Sequence, residues 1–289
     1  MAFSIGAVFA LGALMLWGIG DFLIQRTTRK VGDWEALFLI AALGTLIITP
    51  FVYKNLMGFV GTYATFIILL AAAMVMFVSG IVDFQALKVG KLAVVEPFYV
   101  LEIPIAVVLT IFIINEMLHP LEIFLIITML VGLFLVSIKS HHLVKAKWLE
   151  RGVLLAILAA IVFGIADFLV GIGARATNPL IINWFFDFII TIFTFVYLAF
   201  KGKVHKLLRD AKKDIKLILE VGFIDNLAWV SYAFATIFIP ISVAVALSEN
   251  FIAVAALLGF VVNREKFLLH QKVGLIVALV SVIVLALLI

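Results

Sequence analysis

The chain has 289 residues, of which 66% are hydrophobic and 13% charged, with a mean hydropathy of +1.32. A water-soluble domain keeps its apolar fraction near half, so this composition excludes one and leaves lipid as the solvent. The formal charge of +4 and pI near 9.2 do not argue for nucleic acid, because the basic residues belong to short connections between apolar runs.

In chain order, ten apolar segments are predicted at 3–24, 34–53, 62–82, 92–114, 121–138, 152–172, 179–200, 218–237, 240–262 and 268–288. Each is about the length that crosses a ~30 Å hydrocarbon core as a helix. The first segment lacks a basic n-region and a small-residue cleavage site, so it is expected to stay in the mature protein. The absence of cysteine excludes disulfides, thiol chemistry and cysteine-ligated metals.

The heptapeptide Trp17-Gly18-Ile19-Gly20-Asp21-Phe22-Leu23 returns 146 residues later as Phe163-Gly164-Ile165-Ala166-Asp167-Phe168-Leu169. Without gaps, Gly6 aligns with Gly152, Ala10 with Ala156 and Ala13 with Ala159. The chain therefore reads as a duplication, 1–138 and 152–289, joined by a basic connector at 139–151. Of the 21 lysines and arginines, nineteen fall in the odd-numbered connections and two in the even ones. By the positive-inside rule the odd connections are cytoplasmic and both termini extracytoplasmic. Five spans per half insert the second copy upside down, so the fold class expected is an all-α integral membrane protein of ten transmembrane helices in two inverted five-helix repeats. Many secondary transporters are built in that way.

Two pairs of acids stand out. Asp21 and Asp167 occupy equivalent positions near the ends of the first and sixth predicted spans. Because those spans run in opposite directions, the two aspartates are expected at mirrored depths, as elements of two gates together with Trp17. The plainer alternative is that each serves a helix end. Glu102 and Glu249, 147 residues apart, fall near the middle of the fourth and ninth spans. A charged carboxylate at the centre of a transmembrane helix costs about 2.5–3.5 kcal/mol on insertion scales, so it calls for a partner, a proton or a water-filled cavity. These two are the candidates for a substrate or proton site, with hydrogen bonding between helices as the structural alternative.

Pro97 and Pro104 make the fourth span irregular by removing backbone donors, and broken segments line transport cavities. Glu96, Tyr99 and Asn250 complete the candidate set, Tyr99 because it lies three residues from both Glu96 and Glu102. Asp83, Asp187, Asp225 and Asn226 are further polar groups in or beside spans. No lysine or arginine is predicted at midplane, which favours protons, organic cations or zwitterions over phosphates.

All five histidines fall in predicted connections or, for His270, at the very start of a segment, and no HExxH, GxSxG or Walker-type motif occurs. No enzyme activity, metal site or cofactor is expected. The alternatives to a transporter are an intramembrane enzyme acting on a lipid-linked substrate and a non-transporting scaffold. Small residues at Gly152, Ala156, Ala160 and Gly164 form a stripe for close helix packing.

The Trp17-Gly18 element, the proline-bearing segment Ala93-Val94-Val95-Glu96-Pro97-Phe98-Tyr99, and Asn115-Glu116-Met117-Leu118 with its counterpart Asn263-Arg264-Glu265-Lys266-Phe267 resemble the EamA-type, ten-helix members of the drug/metabolite transporter superfamily. The second of those counterparts is similar to that family's Gly-Glu-Arg-Leu signature. Asn115 stands where the family usually has glycine and Asn250 where it often has proline. The resemblance implies a secondary transporter of the cell membrane, commonly an exporter of amino acids or other small metabolites. It further implies a cavity between the halves, and helix-end contacts for Glu116 and Glu265. The expected partners are a small-molecule substrate, membrane lipid and possible proton coupling, in a monomer or homodimer that binds no nucleic acid.

Overall fold

In a computed structural model of the chain, residues 4–54, 63–90, 92–137, 151–254, 257 and 268–289 are described. Among them there are helices and no strands. They are α1 (Ile5–Val31), α2 (Asp33–Val52), α3 (Tyr63–Val89), α4 (Leu92–Tyr99), α5 (Glu102–Ile113), α6 (Pro120–Ser137), α7 (Arg151–Ala176), α8 (Pro179–Phe200), α9 (Val204–Lys213), α10 (Ile215–Phe238), α11 (Ile241–Ser248) and α12 (Leu269–Leu288). Eight of these are long and apolar enough to cross a membrane, and two shorter apolar stretches, Pro97–Ile113 and Ile241–Val254, accompany them. The chain is thus of the multi-pass membrane type. Most of the predicted connector at 139–151 and all of Asn263–Phe267 lie outside the described residues.

The fourth span is divided, and the sequence explains where. Pro104 has no N–H to give to the carbonyl of Val100 four residues back, and its ring crowds that carbonyl. The helix accordingly turns at Val100–Leu101, where the Leu101 N–H bonds to Phe98 at i−3 instead. Within α5, Pro104 sits in the first turn, where its missing donor is harmless. The segment predicted as the ninth span is interrupted too, without a proline at the break. The Ser248 hydroxyl donates to the Ala244 carbonyl at 2.8 Å, a local competition that bends helices, and Glu249–Asn250 form the turn that follows.

Two observations correct the sequence reading. The basic segment after α8, read as a connection, carries the ten-residue helix α9, whose Leu207 is buried among basic neighbours. Helices α1 and α7 also run on past their apolar stretches, to Val31 and Ala176. In α1 the polar extension is buried rather than frayed: Gln25 donates to the Leu87 carbonyl, and Thr27 and Thr28 bond back to their own helix. The chain then reverses at Gly32, whose φ of 121° favours glycine. Asn115, at φ 53°, occupies the left-handed region as well. Asparagine is the side chain that tolerates it best after glycine, which accounts for the exchange seen in sequence.

The helix pairing has a regular plan. Helix α3 packs along α7 and α1 along α10, α2 faces α8, α6 faces α12, α4 and α5 lie on α7, and α11 lies on α1. The small-residue stripe of α7 is used for such an approach: a Cβ on Gly152 would stand 2.8 Å from the Cα of Gly90. The core is correspondingly rich in buried alanine, including Ala156, Ala159 and Ala160.

Candidate functional site

A cavity of about 80 Å³ lies at the centre of the bundle. On that measure it has room for several waters. Its walls come from both halves of the chain. Trp17 and Asp21 belong to α1, Asp83 to α3, and Tyr99 and Glu102 flank the break between α4 and α5. From the second half come Phe163, Phe186, Asp187, Asp225, Trp229 and Glu249. Six carboxyls therefore face one space, and no lysine, arginine or histidine is among the described residues lining it.

The aromatic wall is built from Trp229, which meets Trp17 edge-on at 4.9 Å between centroids, stacks on Phe163 at 6.1 Å and contacts Phe186 at 5.8 Å. Ring faces carry partial negative charge, so this wall and the carboxyls attract the same kind of guest, a cation. Tyr99 is buried, and its hydroxyl donates to Asp83, which makes it a positioning group for that carboxyl.

The polar groups have quite different supports. Glu102 opens α5, Glu249 caps the end of α11, and Asp167 lies in the middle of α7. One carboxylate oxygen of each lies within 4.8 Å of the other two. The three helices meet there because Gly164, one turn before Asp167, lets α7 lie against the start of α5. A Cβ on Gly164 would stand 2.8 Å from the Glu102 carbonyl oxygen. Asp167 is fully buried, and neither of its oxygens has a hydrogen-bond partner. The Asn250 amide is likewise buried with both polar atoms unpartnered.

The sequence-predicted residues thus converge more than expected. Glu102, Glu249, Tyr99, Trp17 and Asp21 line one cavity, with Asp167 beside the two glutamates. Asp21 and Asp167 do not stand apart at opposite faces. Each is the seventeenth residue of its helix, and the extension of α1 and α7 past the apolar runs brings both close to the helix midpoint. Glu96 falls on α4, but its side chain is outside what is described. The sequence reading named Asp187 and Asp225 only among further polar groups and assigned no site role to Phe163 or Trp229. One signal for the two aspartates was present: at the repeat offset of 146 they align with Ala41 and Ser79, so they are acids that the duplication did not carry.

A second set of acids is fully matched. Glu116, after α5, accepts from the N–H groups of Ile241 and Ser242 at 2.9 Å each and from the Ser242 hydroxyl at 2.7 Å. It thereby caps the start of α11. Arg175, at the end of α7, closes the group with an ion pair to Glu116 at 3.1 Å and bonds to the carbonyls of Thr236 and Ile239. At the ends of α1 and α2, buried Glu35 meets Lys206 at 3.3 Å and Lys203 at 3.6 Å.

Residues 150–287 match the sequence profile of the EamA-like transporter family, within the drug/metabolite transporter superfamily. The second half of this chain is thus similar to that family. One solved crystal structure superposes with a TM-score of 0.75 over 99% of this chain and 98% of its own length, at 14% identity; that likeness bears on the fold alone. No curated protein matches the chain. The match suggests a transporter of the drug/metabolite type.

Proposed function

We propose that the chain is a secondary transporter of the cell membrane that exports small cationic or zwitterionic metabolites, such as organic amines or amino acids. It has ten spans in two inverted five-helix repeats, 1–138 and 152–289, with the basic connector 139–151 on the cytoplasmic side and both termini outside. Access to the central cavity alternates between the two sides, and Glu102 and Glu249 hold the proton or the cationic group of the substrate. The work is transport rather than catalysis.

The observation that carries this reading is the cavity itself, walled by both halves and lined by carboxyls without a cation. The helix pairing supports the repeat. If the halves are related by a two-fold axis, α1 on α10 must be matched by α7 on α3, and α1 on α11 by α7 on α4 and α5, while α2–α8 and α6–α12 lie across the axis. Local bonds follow the same relation. Arg29 and Arg175 are 146 residues apart, and each donates to a carbonyl, Gly90 and Ile239, that precedes a broken span. Broken spans at the repeat interface are the setting in which secondary transporters bind their cargo.

The test is transport in proteoliposomes with an imposed pH gradient, using amines, amino acids and organic anions as separate cargoes. Uptake of a cationic or zwitterionic cargo that responds to the gradient is expected for the wild type. Its loss is expected in folded Glu102→Gln and Glu249→Gln. Unchanged transport and pH dependence in both variants would remove those carboxyls from the site, and selective transport of anions would overturn the substrate class.

A further inference from the structure

The cluster of Glu102, Asp167 and Glu249 asks for neutralisation that the protein itself does not supply. Three carboxyls from three helices share a volume less than 5 Å across, all buried, with no basic side chain on the adjoining cavity wall. Leaving charge buried without a partner costs several kcal/mol per ion. Glu249 and Glu102 are hydrogen-bonded to each other through their side chains and can share a proton, whereas both oxygens of Asp167 lack a partner even at ordinary hydrogen-bond range.

The spacing suits something larger than a proton. Calcium–oxygen bonds are about 2.3–2.6 Å, so two oxygens on opposite sides of one such ion stand about 4.6–5.2 Å apart. Separations of up to 4.8 Å are within that reach. The donor set is oxygen alone, without sulfur or imidazole, which selects hard ions over zinc or copper. The unpartnered Asn250 amide next to Glu249 offers a further oxygen of the same kind nearby in sequence.

We propose that Glu102, Asp167 and Glu249 form a binding site for one hard divalent cation, of the calcium or manganese class. Its consequence for transport rests on the reading above. Glu102 and Glu249 also line the cavity, so an ion drawn to Asp167 withdraws two carboxyls from a cationic substrate. Ion and substrate then compete for the same two side chains, and the exchange of one for the other couples their movements.

The experiment uses the purified full chain in detergent after treatment with chelator. Mn²⁺ binding is followed by loss of the free-ion electron paramagnetic resonance signal. Thermal unfolding is followed with CaCl₂, MnCl₂ or NaCl at matched ionic strength. The expected result is one Mn²⁺ per chain, displaced by Ca²⁺, with a higher unfolding temperature in either divalent salt than in NaCl. Asp167→Asn is expected to weaken Mn²⁺ binding more than tenfold, whereas Glu220→Gln, at an exposed ion pair on α10, keeps it. Glu249→Gln serves as the second variant if Asp167→Asn does not fold. Absence of bound Mn²⁺ in the wild type, or equal binding after both substitutions, overturns the proposal. So does stabilisation by acidification alone without any response to divalent ions. Because none of these readouts is transport, a chain that binds the ion and moves no cargo overturns only the transport reading, and the converse overturns only the ion site.

Discussion

Two groups of buried acids in this molecule differ in what surrounds them. Glu35 and Glu116 each meet basic side chains, and Glu116 also receives two backbone N–H groups at the start of a helix. Glu102, Asp167 and Glu249 are as deeply buried, face one another and have no basic partner on the cavity they adjoin. The first arrangement holds helix ends together. The second carries an electrostatic cost without such a return, which is why binding is proposed there. Glu35 is as buried as these three acids and Glu116 nearly so, so the clearest difference between the two groups is in their partners.

The largest effect that tests this division is functional. Glu249→Gln removes a carboxyl that has no basic partner on the cavity wall and keeps an amide able to hydrogen-bond Glu102, so transport in proteoliposomes is expected to be lost while the unfolding temperature stays within a few degrees of wild type. Glu35→Gln is expected to do the reverse, keeping turnover and lowering stability. If both variants behave alike, the division fails. Next in size, Glu116→Gln breaks an ion pair and weakens three hydrogen bonds at the start of α11. Charge-assisted bonds of this kind are worth about 1.5–3 kcal/mol each, so a loss of roughly 3 kcal/mol is expected in denaturant unfolding.

A smaller effect separates the two copies of the repeated heptapeptide. Gly164→Ala places a methyl 2.8 Å from the Glu102 carbonyl oxygen, where the neighbour is backbone and does not yield. Overpacking of that sort costs about 1–3 kcal/mol and displaces α5 with Glu102 on it, so both stability and transport fall. At Gly18 the nearest atoms are at 3.7 Å or more, ordinary contact, and Gly18→Ala is expected to leave both within measurement error. Equal effects at the two sites would contradict the packing described for α7.

The smallest effect lies at the surface. Lys30 donates to Asp214 at 2.6 Å, and this bond holds the Asp214 carboxyl below its ordinary value. A depressed folded value means that the stabilisation is present above the unfolded value of about 3.9 and is lost as pH falls through the folded one. The unfolding temperatures of wild type and Asp214→Asn are therefore expected to differ slightly at neutral pH and to converge on acidification. The exposed setting keeps the difference small.

The positions of eight long apolar helices were legible in the sequence because hydropathy and length constrain a lipid-embedded helix so strongly. The division of the fourth span was legible as well, since Pro104 acts on a carbonyl four residues away in the same chain. Helix ends were not. Residues Gln25–Val31 are polar enough to look like a connection, yet tertiary bonds such as Gln25 to Leu87 keep them helical. Reading α1 as ending early put Asp21 near a helix end and hid that it lines the same cavity as Glu102 and Glu249. The meeting of three carboxyls depends on where α5, α7 and α11 cross, which no spacing within a single segment encodes. Glu116 was legible only as a helix-end residue, and its role as a clasp on the distant start of α11 needed the fold.

The edge-on pair Trp17 and Trp229 gives the chain an optical property. The other described tryptophans, Trp34 and Trp184, lie against Tyr197 and Phe188, away from the cavity wall. Among the described residues, the indoles placed to respond to a guest in the cavity are therefore these two, from opposite halves of the chain. Replacing either with phenylalanine assigns the signal, so the unlabelled protein reports from within when its interior is occupied.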